Sequence, residues 1–245
     1  MKNKLKFILI HGAKGSGKSS VADSIVNLMP SFKQTSLAAP LKVLLELEMG
    51  VDPRMLWGPS ENRSKQVHLD KQALARRTWD DCYQDVDHSR IPVMLCQFKY
   101  TGATLRDEDV FLIVGAQGRT RDKLREQVLT VREALTTLGD LLRSFYGVTW
   151  SAGHALIYQN VHQCCVVVPD IRYKDELKFI TEAYGRDACL CVKLIRDSVE
   201  FENEHPSERG LPDELFDAVV ENNGSSPRIA AETILGVASA KGLLC

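Results

Sequence analysis

A chain of 245 residues, 44% hydrophobic and 26% charged, can bury a substantial core and has the balance of a globular α/β protein. Its formal net charge of −1 gives no overall attraction to a polyanion, which excludes polymeric nucleic acid as the main ligand and leaves single nucleotides open. No segment approaches a membrane span, so no membrane partner is expected, and the apolar run ending at Ile10 is too short for a signal-peptide core.

In chain order, "LKFILI" reads as a short buried strand, and "HGAKGSGKSS" follows it with Gly12-x-x-x-x-Gly17-Lys18-Ser19. Next, "SSVADSIVNLM" places Val21, Ile25 and Leu28 at helical spacing. Strand, glycine loop and helix are the order a phosphate-binding loop requires. Backbone amides of the loop turn around phosphate oxygens, the helix aims its positive end at them, Lys18 reaches the β- and γ-phosphates, and the Ser19 hydroxyl joins the shell of Mg²⁺. Lys14 adds charge inside the loop.

"KQTSLAAPLKVLLELEMG" predicts an extended link near 34–37 and a helix from Pro40 to Gly50. "VDPRMLWGPSENRSKQ" is rich in turn formers and carries Arg63, which suits either a site or the surface. Within 70–126, "PVMLCQFKY" and "DVFLIVGAQ" predict two strands joined near Gly102, and "TRDKLREQ" has the mixed charge of a solvated helical face. No chemistry is assigned there. With no repeat and no linker, a single domain over 1–245 is expected, with an insert-like region over about 53–126.

In "TVREALTTLGDLLRSFYG", Val131, Leu135, Leu138, Leu142 and Phe145 predict one buried helical stripe. Arg132, Gly139 and Arg143 flank it, two guanidinium groups with a glycine between them where a ligand can approach; surface ion pairs are the other reading of both arginines. "CCVVVPDIRYKDEL" predicts a central parallel strand, with Asp170 and Arg172 at its carboxyl end, where ligands bind in open α/β sheets. Asp170 suits a Mg²⁺ water, a ribose hydroxyl or the cap of the next helix. "ACLCVKLIRD" is a strand ending at Arg196, "FDAVVENNGS" is the last one, and "PRIAAETILGVAS" is the final helix. The alternation predicts a parallel sheet covered by helices. Seven cysteines, an odd number without CxxC spacing, suit reduced thiols in a cytoplasm, and Cys164 and Cys165 of "HQCC" read as buried strand residues rather than metal ligands.

Together, "GAKGSGKSS", "SLAAPLK", "LWGPSENR", "REALTTLG", "VVVPDIRYKDE", "HPSERGL" and "VVENNGS" resemble the bacteriophage deoxynucleoside monophosphate kinase family of P-loop kinases. The resemblance spans nearly the whole chain, matches least over 70–126, and places Asp140 where a threonine is expected. It implies a P-loop kinase fold and ATP-dependent phosphorylation of deoxynucleoside 5′-monophosphates. On the ATP side it places Lys14, Gly15, Ser16, Gly17, Lys18, Ser19, Ser20 and Arg196. On the monophosphate side it places Leu37, Ala38, Arg63, Arg132, Gly139, Trp150, Asp170, Arg172 and Glu176. Lys18, Arg143 and Arg172 would surround the transferred group, Ser19 and Asp170 would serve Mg²⁺, and ATP and Mg²⁺ are the implied cofactors. "HPSERGLP", with His205 and Glu208, suits a mobile cover or a helix cap, and "KGLLC" suits a homodimer interface or a frayed end. A phage-encoded enzyme of this kind would work in the host cytoplasm. The rival readings are a kinase for another small acceptor, such as dephospho-coenzyme A, and a nucleotide-dependent switch.

Overall fold

The computed structural model describes residues 5–47, 50–58, 60–68, 128–147, 149, 151–153, 155–156, 165–201, 209–224 and 226–244. The strands and charged helix expected over 70–126, and Trp150, Cys164, His205 and Glu208, lie outside the described residues. In chain order the elements are β1 (Phe7–His11), α1 (Lys18–Leu28), β2 (Phe32–Gln34), α2 (Ala39–Leu47), α3 (Pro53–Trp57), a 3₁₀ turn (Ser60–Ser64), β3 (Gln66–His68), β4 (Val128–Thr130), α4 (Val131–Tyr146), β5 (Cys165–Ile171), α5 (Lys174–Tyr184), β6 (Cys189–Ile195), β7 (Ala218–Glu221) and α6 (Pro227–Ala240). The chain forms two compact units, one of Met1–Leu37 with Leu156–Cys245 and the other of Ala38–Ala155.

The first unit holds a parallel sheet in the order β2-β5-β1-β6-β7. Its middle strand is the one the sequence makes most apolar, and Phe7, Ile8, Leu9 and Ile10 are all fully buried. Ile8 and Ile10 face Val21, Ala22 and Ile25 of α1 and Ala230, Ala231 and Ile234 of α6 in one core layer. The alternate residues face the other way, where the Phe7 ring lies 4.6 Å from Tyr184 of α5. The chain leaves β1 toward β2 and leaves β5 toward β6, in opposite directions from neighbouring strands, which opens a crevice at their carboxyl ends.

β5 is irregular where it matters. Leu9 pairs with Val168 and His11 with Ile171, so β5 carries one more residue than β1 over that step. The bulge accommodates Pro169, which has no N–H for the ladder, and extends the strand through Asp170. β2 lies two residues earlier than predicted because fully buried Phe32, not the polar residues after it, anchors the pairing to Cys165.

In the second unit, β3 and β4 pair antiparallel, and α4 starts at a capping box in which Thr130 Oγ1 accepts from the Glu133 amide while Glu133 accepts from the Thr130 amide. Its buried face is Val131, Ala134, Thr137 and Leu138, rotated from the predicted stripe so that Leu135 is only half-buried. Small residues prevail because α2 packs closely against α4. The side chains of Leu142 and Phe145 lie outside the described residues. α2 is described from Ala39 to Leu47; residues 48–49, between it and the predicted end at Gly50, lie outside the described residues.

Cys189 and Cys191 are free and buried, and burial, followed by their mutual repulsion at Cys189, pushes their thiols up to about 12 and about 11. Cys165 is buried at the start of β5, as its sequence suggests. Beside the two free cysteines, Asp217 accepts two bonds at 2.8 Å from Arg186, one from Lys241 and one from the Cys191 amide. Burial works to raise the Asp217 carboxyl, but the hydrogen bonds from Arg186, Lys241 and Cys191 outweigh it and hold the group below its ordinary range. A depressed native pKa contributes stability above the unfolded value and loses it as pH falls through the folded one. Asp217→Asn is therefore expected to lose about 1–2 kcal/mol in urea titrations at pH 7, a figure discounted because both cations are part-exposed. The gap to the parent should close below about pH 4.

Candidate active site

The glycine loop, residues 12–17, joins β1 to α1, and its glycines answer to protein atoms. A Cβ on Gly12 would lie 2.5 Å from the Leu194 carbonyl oxygen, and one on Gly17 would lie 2.4 Å from Asn222 Nδ2. Gly15 and Gly17 also have φ of 87° and 88°, where a side chain is strained. Gly17 opens α1 with no side chain capping the helix, so its first-turn amides and positive end point out of the loop. Lys18 curls over the rim and donates at 2.7 Å to the carbonyls of Gly12 and Ala13. The Ser16 hydroxyl oxygen is buried without a hydrogen-bond partner, whereas Lys14, Ser19 and Ser20 are exposed.

Asn222, in the turn after β7, holds this loop. Its Nδ2 donates at 2.7 Å to the Ser16 carbonyl and its backbone amide donates to Ile195, while Asn223 Oδ1 accepts from the Asp197 amide. The turn carrying exposed Arg196 is thus tied to the same place; Val199, within it, would meet a Cβ on Gly15 at 3.4 Å.

At the end of β5, Asp170 points to the chain after β2, accepting from the Ser36 hydroxyl at 2.6 Å and the Leu37 amide at 2.9 Å. It does not cap α5. That role falls to buried Glu176, which accepts from the amides of Arg172 and Tyr173 and so shapes the turn that carries Arg172. His11 is the residue the sequence did not single out. Its Nδ1 lies 2.9 Å from the Ile171 carbonyl and its Nε2 accepts from the Leu211 amide, which assigns a neutral ring with Nδ1 protonated. Burial, then the nearby charges of Lys18, Lys193 and Arg172, lower its pKa to about 4 against the opposing bond to Ile171. The first unit thus brings together the glycine loop, Leu37, Asp170, Arg172, Glu176 and Arg196.

The remaining described candidates belong to the second unit. The Ala38 carbonyl accepts from the Lys42 amide at the start of α2, and Arg63 lies half-buried in the 3₁₀ turn. Arg132 opens α4, half-buried. At Gly139 a Cβ would meet Leu41 Cδ1 at 3.3 Å, so α2 also comes close to α4 there. Arg143 pairs with Asp140 at 3.4 Å, a contact a threonine would not make.

A family model described as deoxynucleotide monophosphate kinase matches residues 6–231. The chain belongs to this family. It is a phosphotransferase that phosphorylates deoxynucleoside monophosphates, and dephospho-coenzyme A is not the favoured acceptor. No curated protein matches the chain. For this kinase, residues that shape the loop are expected to affect the phosphate donor selectively. Asn222→Asp keeps the shape of the side chain but sets an oxygen against the Ser16 carbonyl. Steady-state kinetics should show the donor's KM raised about tenfold and the monophosphate's within about twofold.

Proposed function

We propose that the donor is ATP with Mg²⁺, bound at the glycine loop, and that its γ-phosphoryl group passes to the 5′-phosphate of a deoxynucleoside monophosphate. The observation that supports this most is the uncapped start of α1 beside Lys18: a set of amides, a helix positive end and an ammonium gathered around one loop. The residues fit Mg²⁺. Ser19 offers an exposed hydroxyl in the first turn of α1, and Asp170, whose two oxygens already accept from Ser36 and Leu37, suits a hydrogen bond to a water of the ion's shell better than direct ligation. When bound, the ion would neutralise charge on the β- and γ-oxygens.

The chain's own part is alignment and charge. Lys14, Gly15, Ser16, Gly17, Lys18, Ser19 and Ser20 wrap the donor phosphates, with Arg196 beside them; Lys18 draws off charge as the γ-phosphorus moves to the acceptor oxygen. No protein nucleophile is needed, because the acceptor phosphate oxygen attacks directly. Arg172, on the turn set by Glu176, would take the acceptor phosphate in two parallel bonds. Within the second unit, Arg63, Arg132 and Arg143 are the proposed phosphate ligands, Asp140 tempering Arg143, with Leu37, Ala38, Gly139 and Trp150 proposed along the nucleoside. The enzyme would then act on free nucleotides in a cytoplasm; among the described residues no helix is long and apolar enough to cross a membrane.

The test is ADP release with ATP and Mg²⁺ against dTMP, dGMP, dCMP, dAMP, their ribose counterparts, dephospho-coenzyme A and no acceptor. Release that depends on a deoxynucleotide is expected, and release without any acceptor alone would support the switch. Lys18→Ala should lower turnover about a hundredfold or more, the loss of a donor aimed at developing charge. Arg172→Ala should raise the KM for the monophosphate more than that for ATP, and a defect confined to ATP would contradict its place.

A further inference from the structure

His11 closes β1 and immediately precedes Gly12, so its side chain sits where the glycine loop begins. His11 is 2% exposed, and its ring meets four partners. Its Nδ1–H donates to Ile171, the residue before Arg172, and its Nε2 accepts from Leu211 at 3.2 Å. Phe201 stacks on it with centroids 5.2 Å apart and planes 11° apart, and Phe216 does so at 5.4 Å and 14°. Lys193, its partner in register on β6, donates to the Leu211 carbonyl at 3.0 Å and to Asp213. Leu211 is therefore gripped by its amide from β1 and by its carbonyl from β6.

A phenylalanine would fill a slot between two aromatic rings without desolvating two ring nitrogens. What an imidazole adds is direction: one nitrogen donates and the other accepts, which only the neutral form can do. The charged groups around the ring oppose a positive charge on it, since Lys18 of α1, Lys193 of β6 and Arg172 after β5 are cations, and the acid nearby, Asp213, is bound by Lys193. The bond to Ile171 falls just beyond the β5 bulge, where the ladder is irregular and the strand end needs a further tether.

We propose that His11 is a positioning residue for phosphoryl transfer, its two ring nitrogens setting the spacing between the glycine loop and the Ile171–Arg172 turn and seating Leu211 against both. This rests on the reading above, in which the loop holds the donor and Arg172 the acceptor. Alignment of two bound substrates governs turnover more than the binding of either, because a misplacement on the order of 1 Å can lower a rate about a hundredfold while both ligands still bind. His11→Phe keeps the stacking and removes both hydrogen bonds. His11→Asn restores a donor near the Nδ1 position.

Both variants are assayed with ATP and the preferred deoxynucleoside monophosphate well below their unfolding temperatures, beside urea titrations. The expected result is a kcat about tenfold lower in His11→Phe, with both KM values within about threefold of the parent, and a partial recovery of kcat in His11→Asn. An unchanged kcat in folded His11→Phe, or a loss falling on one KM alone, overturns the proposal, as does a kcat that follows only the fraction folded. Long-range ¹H–¹⁵N spectra of the parent protein should show His11 as the neutral Nδ1–H tautomer, and an Nε2–H tautomer or an imidazolium near neutral pH overturns the geometry whether or not the variants fold. A parent protein without acceptor-dependent ADP release would defeat the donor and acceptor reading itself, a result distinct from equal rates in parent and variants.

Discussion

Water does not reach β1 from Phe7 to Ile10, so its backbone amides and carbonyls must find their partners within the sheet. A strand covered on both faces takes parallel neighbours on both sides, here β5 and β6, and this places three carboxyl ends in a row. The glycine loop leaves the middle one, the turn of Arg172 leaves the second and the turn of Arg196 the third. None of these segments has regular structure, yet each is tied down: the loop by Asn222, the Arg172 turn by Glu176 and His11, the Arg196 turn by Asn223. Precision at the site comes from these few polar bonds, anchored to a sheet that cannot shift without exposing unpaired backbone.

Electrostatically, this end of the sheet favours an anion. Lys18, Lys193 and Arg172 all act on His11, and α1 turns its positive end the same way. The nearby carboxylates do not cancel this charge as their number suggests. Asp170 and Glu176 accept from backbone amides, so their negative charge is spent in part on fixed dipoles. Keeping His11 neutral is part of the same economy of charge: a fourth cation inside the sheet would have to be desolvated, while one at the loop can be met by phosphate.

The doubly buried strands and the final helix were legible because continuous apolar runs leave few arrangements for them; α6 begins at Pro227, the first residue of the predicted helix. The loop was legible through Gly12, Gly17, Lys18 and Ser19, and Asp170, Arg172 and Arg196 fell at strand ends as the alternation of elements implied. What failed to show shares one cause, since it depends on residues distant in sequence. His11 looks like the last residue of a strand until Leu211 and Phe216 are brought to it across some 200 positions. At Gly139 the sequence does not show that α2 comes close, with Leu41 Cδ1 3.3 Å from where a Cβ would stand. That Glu176 shapes the Arg172 turn appears only when the Arg172 and Tyr173 amides are seen to reach it.

The glycines carry this point further. The usual account of such a loop has them small so that phosphate can come close, yet at Gly12 and Gly17 the atoms a Cβ would strike belong to Leu194 and Asn222. Their smallness lets β6 and the turn after β7 close on the loop, where Asn222 takes the Ser16 carbonyl. Spacing of glycines alone therefore reports an architecture able to present amides to an anion, and it says little about which anion. The chemistry we propose draws on what the architecture is given to work with: the ammonium of Lys18 on the rim, the hydroxyl of Ser19 beside it and a guanidinium on the neighbouring strand end. A chain with the same glycines and an apolar residue at position 18 would keep the space that Asn222 and Leu194 fill, and would lose the ammonium on which the proposed donor site relies.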